Sequence, residues 1–266
     1  MIKIKLIVEN NAKVPFEAEH GLALLVDCGV DVLLFDTGAG NALRANASLM
    51  GVDLASIKNV VLSHGHNDHT GGLHEISNFA TIHATSSIDV RRFSIHEGLP
   101  VRDISMPVKS VEKLHCSNWN KVDGFKEIFS GAFLTGAIPR NSGEGTGGPF
   151  FLDASGEHED IISDEQALLL SSGVLIQGCC HSGIINTMQY CKQCCPQIRI
   201  NTIIGGLHLL NATHERLAQT ASYLNESGVK KLYPLHCTGQ NAIEFLSKNC
   251  PEIEIATFCV GEEIVL

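Results

Sequence analysis

The segment that decides the fold is Ser63-His64-Gly65-His66-Asn67-Asp68-His69-Thr70-Gly71-Gly72. It places three histidines and one aspartate within six residues, directly after the apolar run Asn59-Val-Val-Leu-Ser63. In an extended backbone, residues two apart point to the same side, so His64 and His66 can bind one ion. The turn that follows can bring Asp68 and His69 to a second ion. Imidazole with carboxylate suits Zn, Fe or Mn and leaves positions open for water, so the segment predicts an open metal site at a sheet edge.

The composition narrows the classes of protein further. The chain has 266 residues, of which 44% are hydrophobic and 18% charged, and its formal net charge is −10. This length can bury one large core or two small ones, and the apolar fraction excludes a disordered chain. The negative charge and the lack of any Lys/Arg cluster argue against a nucleic-acid partner, because phosphate backbones are bound by fields of basic residues. The 10 Cys and 13 His are the side chains that bind borderline metals.

The amino-terminal residues predict a location. Met1–Val8 alternates apolar residues with Lys3 and Lys5, which is typical of a half-buried strand and not of a signal peptide. No apolar run approaches the roughly 20 residues that cross a bilayer. Without an export signal, the cysteines are expected to be reduced thiols. We therefore predict a soluble cytoplasmic protein with no membrane partner, for which a homo-oligomer is one option.

Strand-like and helix-like segments alternate in both halves of the chain, which predicts an α/β layered fold. The predicted strands are 2–9, Leu22–Asp27, Val30–Asp36, 59–63, Ala167–Ser171, Val174–Gln177, Arg199–Ile204, Lys231–Leu235 and Glu254–Val260. The predicted helices are Asn41–Met50, one beginning near Ser182, Ala212–Ser227 and Gln240–Asn249.

Residues 85–160 differ in character from their surroundings. They hold four of the eight prolines and the stretch Ser142-Gly-Glu-Gly-Thr-Gly-Gly148, which is typical of turns and loops. Because folded-looking sequence resumes on both sides, we predict one domain over 1–266, with a Gly/Pro-rich insertion or lid at about 85–160. Arg140 in this segment is a candidate substrate contact, since its guanidinium matches phosphate geometry.

The pattern His64-x-His66-x-Asp68-His69 resembles the signature of the metallo-β-lactamase superfamily, and Leu33-Leu-Phe-Asp36-Thr-Gly38 resembles the segment that precedes it. Further segments resemble the branch of dihydropterin–ribofuranosylaminobenzene-phosphate synthases and metal-dependent hydrolases. These are Ala18-Glu-His20-Gly-Leu22, Thr135-Gly-Ala-Ile-Pro-Arg140, Gly178-Cys-Cys-His181-Ser-Gly183, Gly205-Gly-Leu-His208-Leu and Leu235-His236-Cys-Thr-Gly239. The resemblance implies an αββα four-layer sandwich of two packed mixed sheets. It also implies two divalent metal ions at one sheet edge, with Zn favoured and Mn or Fe as alternatives.

The same resemblance implies metal ligands from later strands. His236 fits the last histidine of the superfamily and would join Asp68 and His69 on the second ion. Most members place a metal-bridging aspartate at the end of the strand before His181, yet residues 165–266 contain no aspartate. His181 therefore either replaces the bridging carboxylate or completes the first ion with His64 and His66. We favour the second assignment.

Other candidate residues have less defined roles. His208 could be a further ligand, a catalytic acid/base and oxyanion donor, or a residue that supports a ligand. His20 is similar to a branch motif and is a candidate substrate contact. Asp36 is expected to orient a ligating histidine by a hydrogen bond. Cys191-Lys-Gln-Cys194-Cys195 lacks a second C-x-x-C, so we expect packed thiols there and only Cys237 near the metals.

Together these residues favour a metal-dependent hydrolase. A metal-activated water would attack a small phosphorylated or ester substrate, with Asp68 and His208 as the catalytic residues. One alternative is a synthase that condenses an aminobenzene-ribofuranosyl phosphate with a pterin pyrophosphate, for which Phe150, Phe151 and Trp119 are the candidate stacking surfaces. A non-catalytic metal-binding sensor is the other, and it is disfavoured because all six assigned ligands are present.

Overall fold

The computed structural model describes residues 1–266 and contains two seven-stranded sheets. The first sheet consists, in spatial order, of β17 (Glu263–Val265), β1 (Lys3–Val8), β2 (Ala23–Asp27), β3 (Val32–Phe35), β4 (Asn59–Val61), β5 (Thr81–Ala84) and β8 (Asn118–Lys121). Pairing is antiparallel from β17 to β3 and parallel from β3 to β8. The sheet is therefore mixed.

The second sheet has the same design. Its strands, in spatial order, are β16 (Glu254–Ile255), β15 (Lys231–Pro234), β14 (Thr202–Gly205), β13 (Val174–Gln177), β12 (Ala167–Leu170), β10 (Ala132–Leu134) and β9 (Lys126–Phe129). Pairing is parallel from β16 to β13 and antiparallel from β13 to β9. Both sheets are mixed, as the resemblance implied.

The two sheets pack face to face because side chains alternate along each strand. In β3, Leu33 and Phe35 join a core between the sheets, together with Leu168 and Ile176 from the second sheet. Leu34 points to the other face and joins a separate core under the helices. Successive residues of one strand therefore belong to two different layers.

Helices cover both outer faces. The outer face of the first sheet packs against α1 (Leu43–Leu49) and α3 (Val108–Cys116), and that of the second packs against α4 (Ile184–Cys194), α5 (His214–Ser227) and α6 (Gln240–Asn249). A short helix, α2 (Asn67–Thr70), carries part of the segment 63–72. The architecture is the expected αββα sandwich. No helix is long and apolar enough to cross a membrane.

The predicted strand Glu254–Val260 is wrong in its extent. Only Glu254–Ile255 pairs in the second sheet, and the chain then crosses to the first sheet, where Glu263–Val265 pairs with β1. Val260 is buried in the core between the sheets and forms an isolated bridge with Ala12. Gly261, with φ of +97°, turns the chain at this point. The chain therefore leaves the edge strand after Ile255, and this path buries Val260 between the sheets.

The segment 85–160 is divided between several parts of the fold. Three of its strands, β8, β9 and β10, belong to the large sheets. A small third sheet pairs β6 (Phe93–Ser94) with β7 (Arg102–Asp103) and with β11 (Phe150–Phe151). This small sheet and the loop 142–149 are the parts that lie beside the strand ends described next.

Candidate metal centre

Five strands end at one edge of the sandwich, and each delivers polar side chains there. Asp36 follows β3, His64 and His66 follow β4, Cys179 and His181 follow β13, His208 follows β14, and His236 follows β15. Five imidazoles form a histidine cluster in which neighbouring ring centroids lie 4.3 to 5.0 Å apart. Its members are His64, His66, His69, His181 and His236. The fold thus brings together the residues that the sequence assigned to metal binding.

Four residues at these strand ends have a left-handed backbone. Their φ angles are 57° at Asp36, 62° at Cys180, 45° at His208 and 49° at His236. Residues other than glycine rarely adopt this conformation, which costs on the order of 1–3 kcal/mol at each position and persists where the surrounding structure enforces it. The surrounding fold therefore fixes the direction in which the side chains of these four residues point.

The first triad consists of His64, His66 and His181. The Nε2 atom of His64 lies 3.0 Å from Nδ1 of His66, and the His181 ring centroid lies 4.8 Å from that of His64 and 4.9 Å from that of His66. All three side chains are buried. Nε2 of His66 and Nε2 of His181 have no hydrogen-bond partner, although burial of an unpaired polar atom is costly. A bound cation would satisfy such nitrogens.

The second triad consists of Asp68, His69 and His236. The carboxylate Oδ2 of Asp68 lies 3.3 Å from Nε2 of His236 and 3.3 Å from Nε2 of His20. His66 stands at the start of α2, and Asp68 and His69 lie within this helical turn. The His69 ring centroid lies 4.3 Å from that of His64, so the two triads are in direct contact. The division of the segment 63–72 between two ions stays a prediction.

The outward nitrogens of the cluster are held by hydrogen bonds. His69 Nδ1 donates to Asp36 Oδ2 at 2.7 Å, which is the orienting contact expected for Asp36. His181 Nδ1 donates to the Thr146 carbonyl at 2.8 Å, and His236 Nδ1 donates to Asn10 Oδ1 at 3.0 Å. Such contacts fix the tautomer and ring direction of metal-binding histidines. In these three rings Nε2 is left facing inward.

Burial and nearby charges shift the pKa values of histidines in the two triads in opposite directions, lowering those of the first triad and raising that of His69. Desolvation lowers the pKa of His66 to about 3 and holds the pKa values of His64 and His181 well below the usual range, so the first triad stays neutral, as ligands must be. Burial opposes a charge on His69 as well, but the Asp36 and Asp68 carboxylates outweigh it and raise the pKa of His69 to about 9. This end of the cluster therefore favours positive charge.

A divalent ion fits this donor set. Groups of three ligand atoms lie within 4.8 Å of one another at His64, Cys179 and His181, and again at His69, Cys179 and His236. Imidazole, carboxylate and thiol are the ligands of Zn and related borderline metals.

The expectation that Cys237 is the only cysteine near the metals is wrong. The Sγ atom of Cys179 lies 3.1 Å from Nε2 of His69, closer to the cluster than the sequence suggested. Cys179 lies two residues before His181 at the end of the same strand. This spacing could have predicted that its side chain lies near the histidine cluster. Cys191 and Cys195, by contrast, pack in the core under α4 and α5, and all ten cysteines are free thiols.

A cavity of about 1060 Å³ opens beside the histidine cluster. Its lining includes His66, Asp68, Cys179, His208 and His236, together with residues from the small sheet and from α6. Two phenylalanines lie in the lining: Phe150, whose ring centroid lies 5.1 Å from that of His66, and Phe258, whose ring packs against Tyr233. Two further basic side chains, His96 and Arg102, lie in the lining and were not predicted from the sequence.

The remaining candidate residues have definite places. His20 and His208 line the cavity, and burial lowers the pKa of His208 to about 4. Arg140 does not reach the cavity: its Nη1 donates to the His181 carbonyl at 2.6 Å. Of the three aromatic candidates, Phe150 lines the cavity, whereas Trp119 and Phe151 do not.

A sequence model of the metallo-beta-lactamase superfamily matches residues 18–116, which include the whole segment 63–72. Over 92% of its length, the chain is 30% identical to the uncharacterized protein MJ0448 of Methanocaldococcus jannaschii, and it covers 94% of that relative. The chain belongs to the metallo-beta-lactamase superfamily.

Two other proteins are similar to this chain over most of their length. One is the 7,8-dihydropterin-6-methyl-4-(beta-D-ribofuranosyl)-aminobenzene-5'-phosphate synthase of Methanocaldococcus jannaschii, 30% identical over 91% of this chain and 89% of its own. The other is Tm1679, a metal-dependent hydrolase of the beta-lactamase superfamily. Its crystal structure has a TM-score of 0.86 and 29% identity, and the match covers 100% of this chain and 99% of that one. A diphosphatase of the PhnP family, at 13% identity and a TM-score of 0.58, shares the fold.

Metallo-beta-lactamase superfamily proteins bind divalent metals, which agrees with the chemistry of the two triads.

Proposed function

We propose that this superfamily member is a metal-dependent hydrolase that acts on a small phosphorylated or ester substrate. The observation that carries the proposal is that both triads contribute to the lining of one open cavity, the first through His66 and the second through Asp68 and His236. Nε2 of His66 has no hydrogen-bond partner in the protein. A buried metal site without an open approach would favour a structural role. Here the approach is a cavity large enough for a drug-sized molecule.

The first triad would hold one ion and the second triad another, with Zn favoured by the histidine-rich donor set and Mn or Fe as alternatives. When bound, such ions supply a water of lowered pKa and polarise a substrate oxygen. Asp68 would orient the attacking water. His208, neutral and placed in the cavity wall, would donate a hydrogen bond or proton to the group that accumulates negative charge.

Two basic side chains of the cavity lining offer a contact for an anionic group of the substrate, although the lining also contains the carboxylates of Glu9, Glu19, Asp68 and Asp103. Arg102 and His96 lie in the lining, on the side of the small sheet, whereas Arg140 is engaged by backbone carbonyls. We therefore assign the anion contact to Arg102 in place of Arg140. The net charge of −10 supports a small molecule and not a nucleic acid.

We further propose that residues 1–266 act as one domain, because both sheets share one core and contribute to the same site. The part of the segment 85–160 that can cover the cavity is then the small sheet with the loop 142–149. The ten free thiols support a reducing compartment such as the cytoplasm. A homo-oligomer stays a prediction from the sequence.

Metal analysis combined with a substrate screen tests the hydrolase. The purified protein is analysed for metal content by mass spectrometry and assayed on phosphate mono- and diesters, pyrophosphates and lactones. We expect two equivalents of a divalent metal and turnover that is lost in His66→Ala. His115→Ala, which alters an exposed histidine on α3, is the matched control and should retain both. Absence of bound metal, or turnover that survives in His66→Ala, would contradict the proposal.

A second candidate is a synthase that joins a pterin pyrophosphate to an aminobenzene-ribofuranosyl phosphate. It is favoured by the size of the cavity, about 1060 Å³, and by the two aromatic side chains in its lining, Phe150 and Phe258. Similarity to a relative named for this activity points the same way. Incubation of the metal-loaded protein with both substrates, followed by mass spectrometry of the products, separates a coupled product from simple hydrolysis.

A further inference from the structure

Cys179 lies between the two triads. It follows β13, and its side chain is buried. Its Sγ atom belongs to three of the four groups of ligand atoms that lie within 4.8 Å of one another: one with His64 and His181, one with His69 and His236, and one with His208 and Cys237. The distance from Sγ to His69 Nε2 is 3.1 Å. We propose that Cys179 is a metal ligand shared by both triads, so that its thiolate bridges the two ions.

No carboxylate competes for this position. Asp68 lies 3.3 Å from Nε2 of His20 and 3.3 Å from Nε2 of His236, and its group of ligand atoms contains these two histidines and no residue of the first triad. Asp36 is engaged from outside the cluster by His69 Nδ1 and by Ser63. The thiol of Cys179 can become an anion, and its sulfur lies within 4.8 Å of ring nitrogens from both triads.

The backbone around Cys179 enforces its direction. Cys180 has φ of 62° and packs in the core under the helices, so the next residue, His181, returns to the same side as Cys179. Gly178 admits no side chain, because a Cβ there would lie 2.1 Å from Ser63 Oγ. The backbone on both sides of Cys179 is thus constrained, and this conformation places the Cys179 sulfur and the His181 imidazole on the same side of the chain.

Coordination would break the S–H bond of Cys179, release the proton to the solvent, and form one bond from sulfur to each divalent ion. No electron is transferred. Because a thiolate is a soft ligand, this bridge selects Zn or Fe over Mn, whereas a carboxylate in its place would select Mn more readily. The inference rests on the metal site of the proposed function, but not on its reaction.

Spectroscopy of the cobalt-substituted protein tests the bridge. The full-length protein is stripped of metal with a chelator and titrated with Co²⁺, and the near-ultraviolet absorption is followed for a thiolate-to-cobalt charge-transfer band. We expect this band to be present with two bound equivalents in the wild type and absent in Cys179→Ser. The second equivalent in that variant should bind about tenfold or more weakly. Cys116→Ser, which alters an exposed thiol at the end of α3, is the matched control and should keep the band. Cys237→Ser tests the neighbouring thiol, whose Sγ lies within 4.8 Å of Cys179 Sγ and of a ring nitrogen of His208, and it should also keep the band.

Two outcomes overturn the inference: two bound Co²⁺ without the band in the wild type, or a band that persists in Cys179→Ser and disappears in Cys237→Ser. A third variant, Cys179→Asp, keeps the assay informative if the serine variant does not fold. It should bind two ions without the band and shift the Mn²⁺ to Zn²⁺ preference towards Mn²⁺. An unchanged preference would count against a bridging sulfur. If the wild type binds no Co²⁺ at all, the proposed function itself fails, and the two failures are thereby distinguished.

Discussion

Nδ1 of His69 donates to Oδ2 of Asp36 at 2.7 Å, and neither side chain is exposed to solvent. Asp36 also accepts hydrogen bonds from the backbone and the hydroxyl of Ser63, whose Oγ lies 2.9 Å from Nδ1 of His64. A single carboxylate thus orients one histidine from each triad, directly or through Ser63. This relationship makes Asp36 a positioning residue for both ions.

We therefore expect Asp36→Asn to weaken metal binding by about 10–100-fold, the usual effect of losing such a partner. Asparagine tolerates the left-handed backbone of this position, so the fold should be retained. Competition with a chromophoric chelator measures the affinity, and far-ultraviolet circular dichroism checks the fold. Ser63→Ala, which removes only the indirect contact, should show a smaller loss. Equal affinities in all three proteins would refute the positioning role.

Arg92 is expected to be the most sensitive arginine for stability. Its buried guanidinium donates to Asp160 at 2.8 Å and to Asp164 at 2.6 Å, and Asp164 in turn accepts from the Gly65 amide within the segment 63–72. Burial raises the pKa of Asp164 to about 7, and Arg92 opposes this shift. Replacement by leucine leaves two buried carboxylates unpaired and should lower the free energy of unfolding by about 3–5 kcal/mol.

Arg91 provides the matched control for this prediction. Its side chain is 70% exposed and pairs with Asp103 at the surface, so Arg91→Leu should cost only about 0–1 kcal/mol. Urea denaturation of both variants gives the comparison. If Arg91→Leu and Arg92→Leu lower the free energy of unfolding by similar amounts, the buried contacts of Arg92 do not stabilise the fold as expected.

His83 should make stability dependent on pH. It is buried in β5, where Nε2 donates to Asn59 Oδ1 at 3.1 Å and Nδ1 accepts from Asn120 at 2.8 Å, so only the neutral ring satisfies both contacts. Desolvation, with a smaller effect of Lys126, lowers the pKa of His83 to about 4. Because the folded pKa is depressed, the stability that His83 contributes is full above the unfolded pKa of about 6.5 and is lost as pH falls through about 4.

The loss amounts to at most about 3 kcal/mol, from the pKa difference between the two states. Unfolding by urea between pH 7 and pH 4 should show this slope in the wild type and a shallower one in His83→Gln, whose side chain does not titrate. Parallel slopes in the two proteins would exclude His83 as their source.

Arg102 and Arg140 should have separable effects on catalysis. Arg102 lines the cavity, so Arg102→Ala should raise KM for phosphorylated substrates, and the inhibition constant of inorganic phosphate, by about tenfold with little change in kcat. Arg140 donates to backbone carbonyls beside His181, so Arg140→Ala should lower stability and leave KM unchanged. The reverse pattern would restore Arg140 as the anion contact.

Local patterns predicted most strands outside residues 85–160 and the helices α1, α4, α5 and α6, but not β5, β8, β9, β10 or α3. His181 and His236 were singled out through the resemblance to the superfamily, and each lies within four residues of the end of an apolar strand. Cys179 was missed although its spacing of two residues from His181 places it at the same strand end. Arg102 was not identified, because its place in the cavity arises from contacts between elements that are far apart in sequence. Arg140 has the right chemistry for phosphate, yet its position depends on which carbonyls the fold leaves unpaired nearby. Such contacts have no local sequence signal.

The left-handed residues at the strand ends have a consequence for how the protein exchanges its metal. Asp36, Cys180, His208 and His236 hold their unfavourable backbone conformations through the fold itself, so an arriving ion has little chain to reorganise. We expect the rate of metal uptake to be limited by passage through the cavity mouth and dehydration of the ion. On this basis we expect the ligand residues to determine which metal ion binds, and the cavity mouth to determine how fast the ion exchanges.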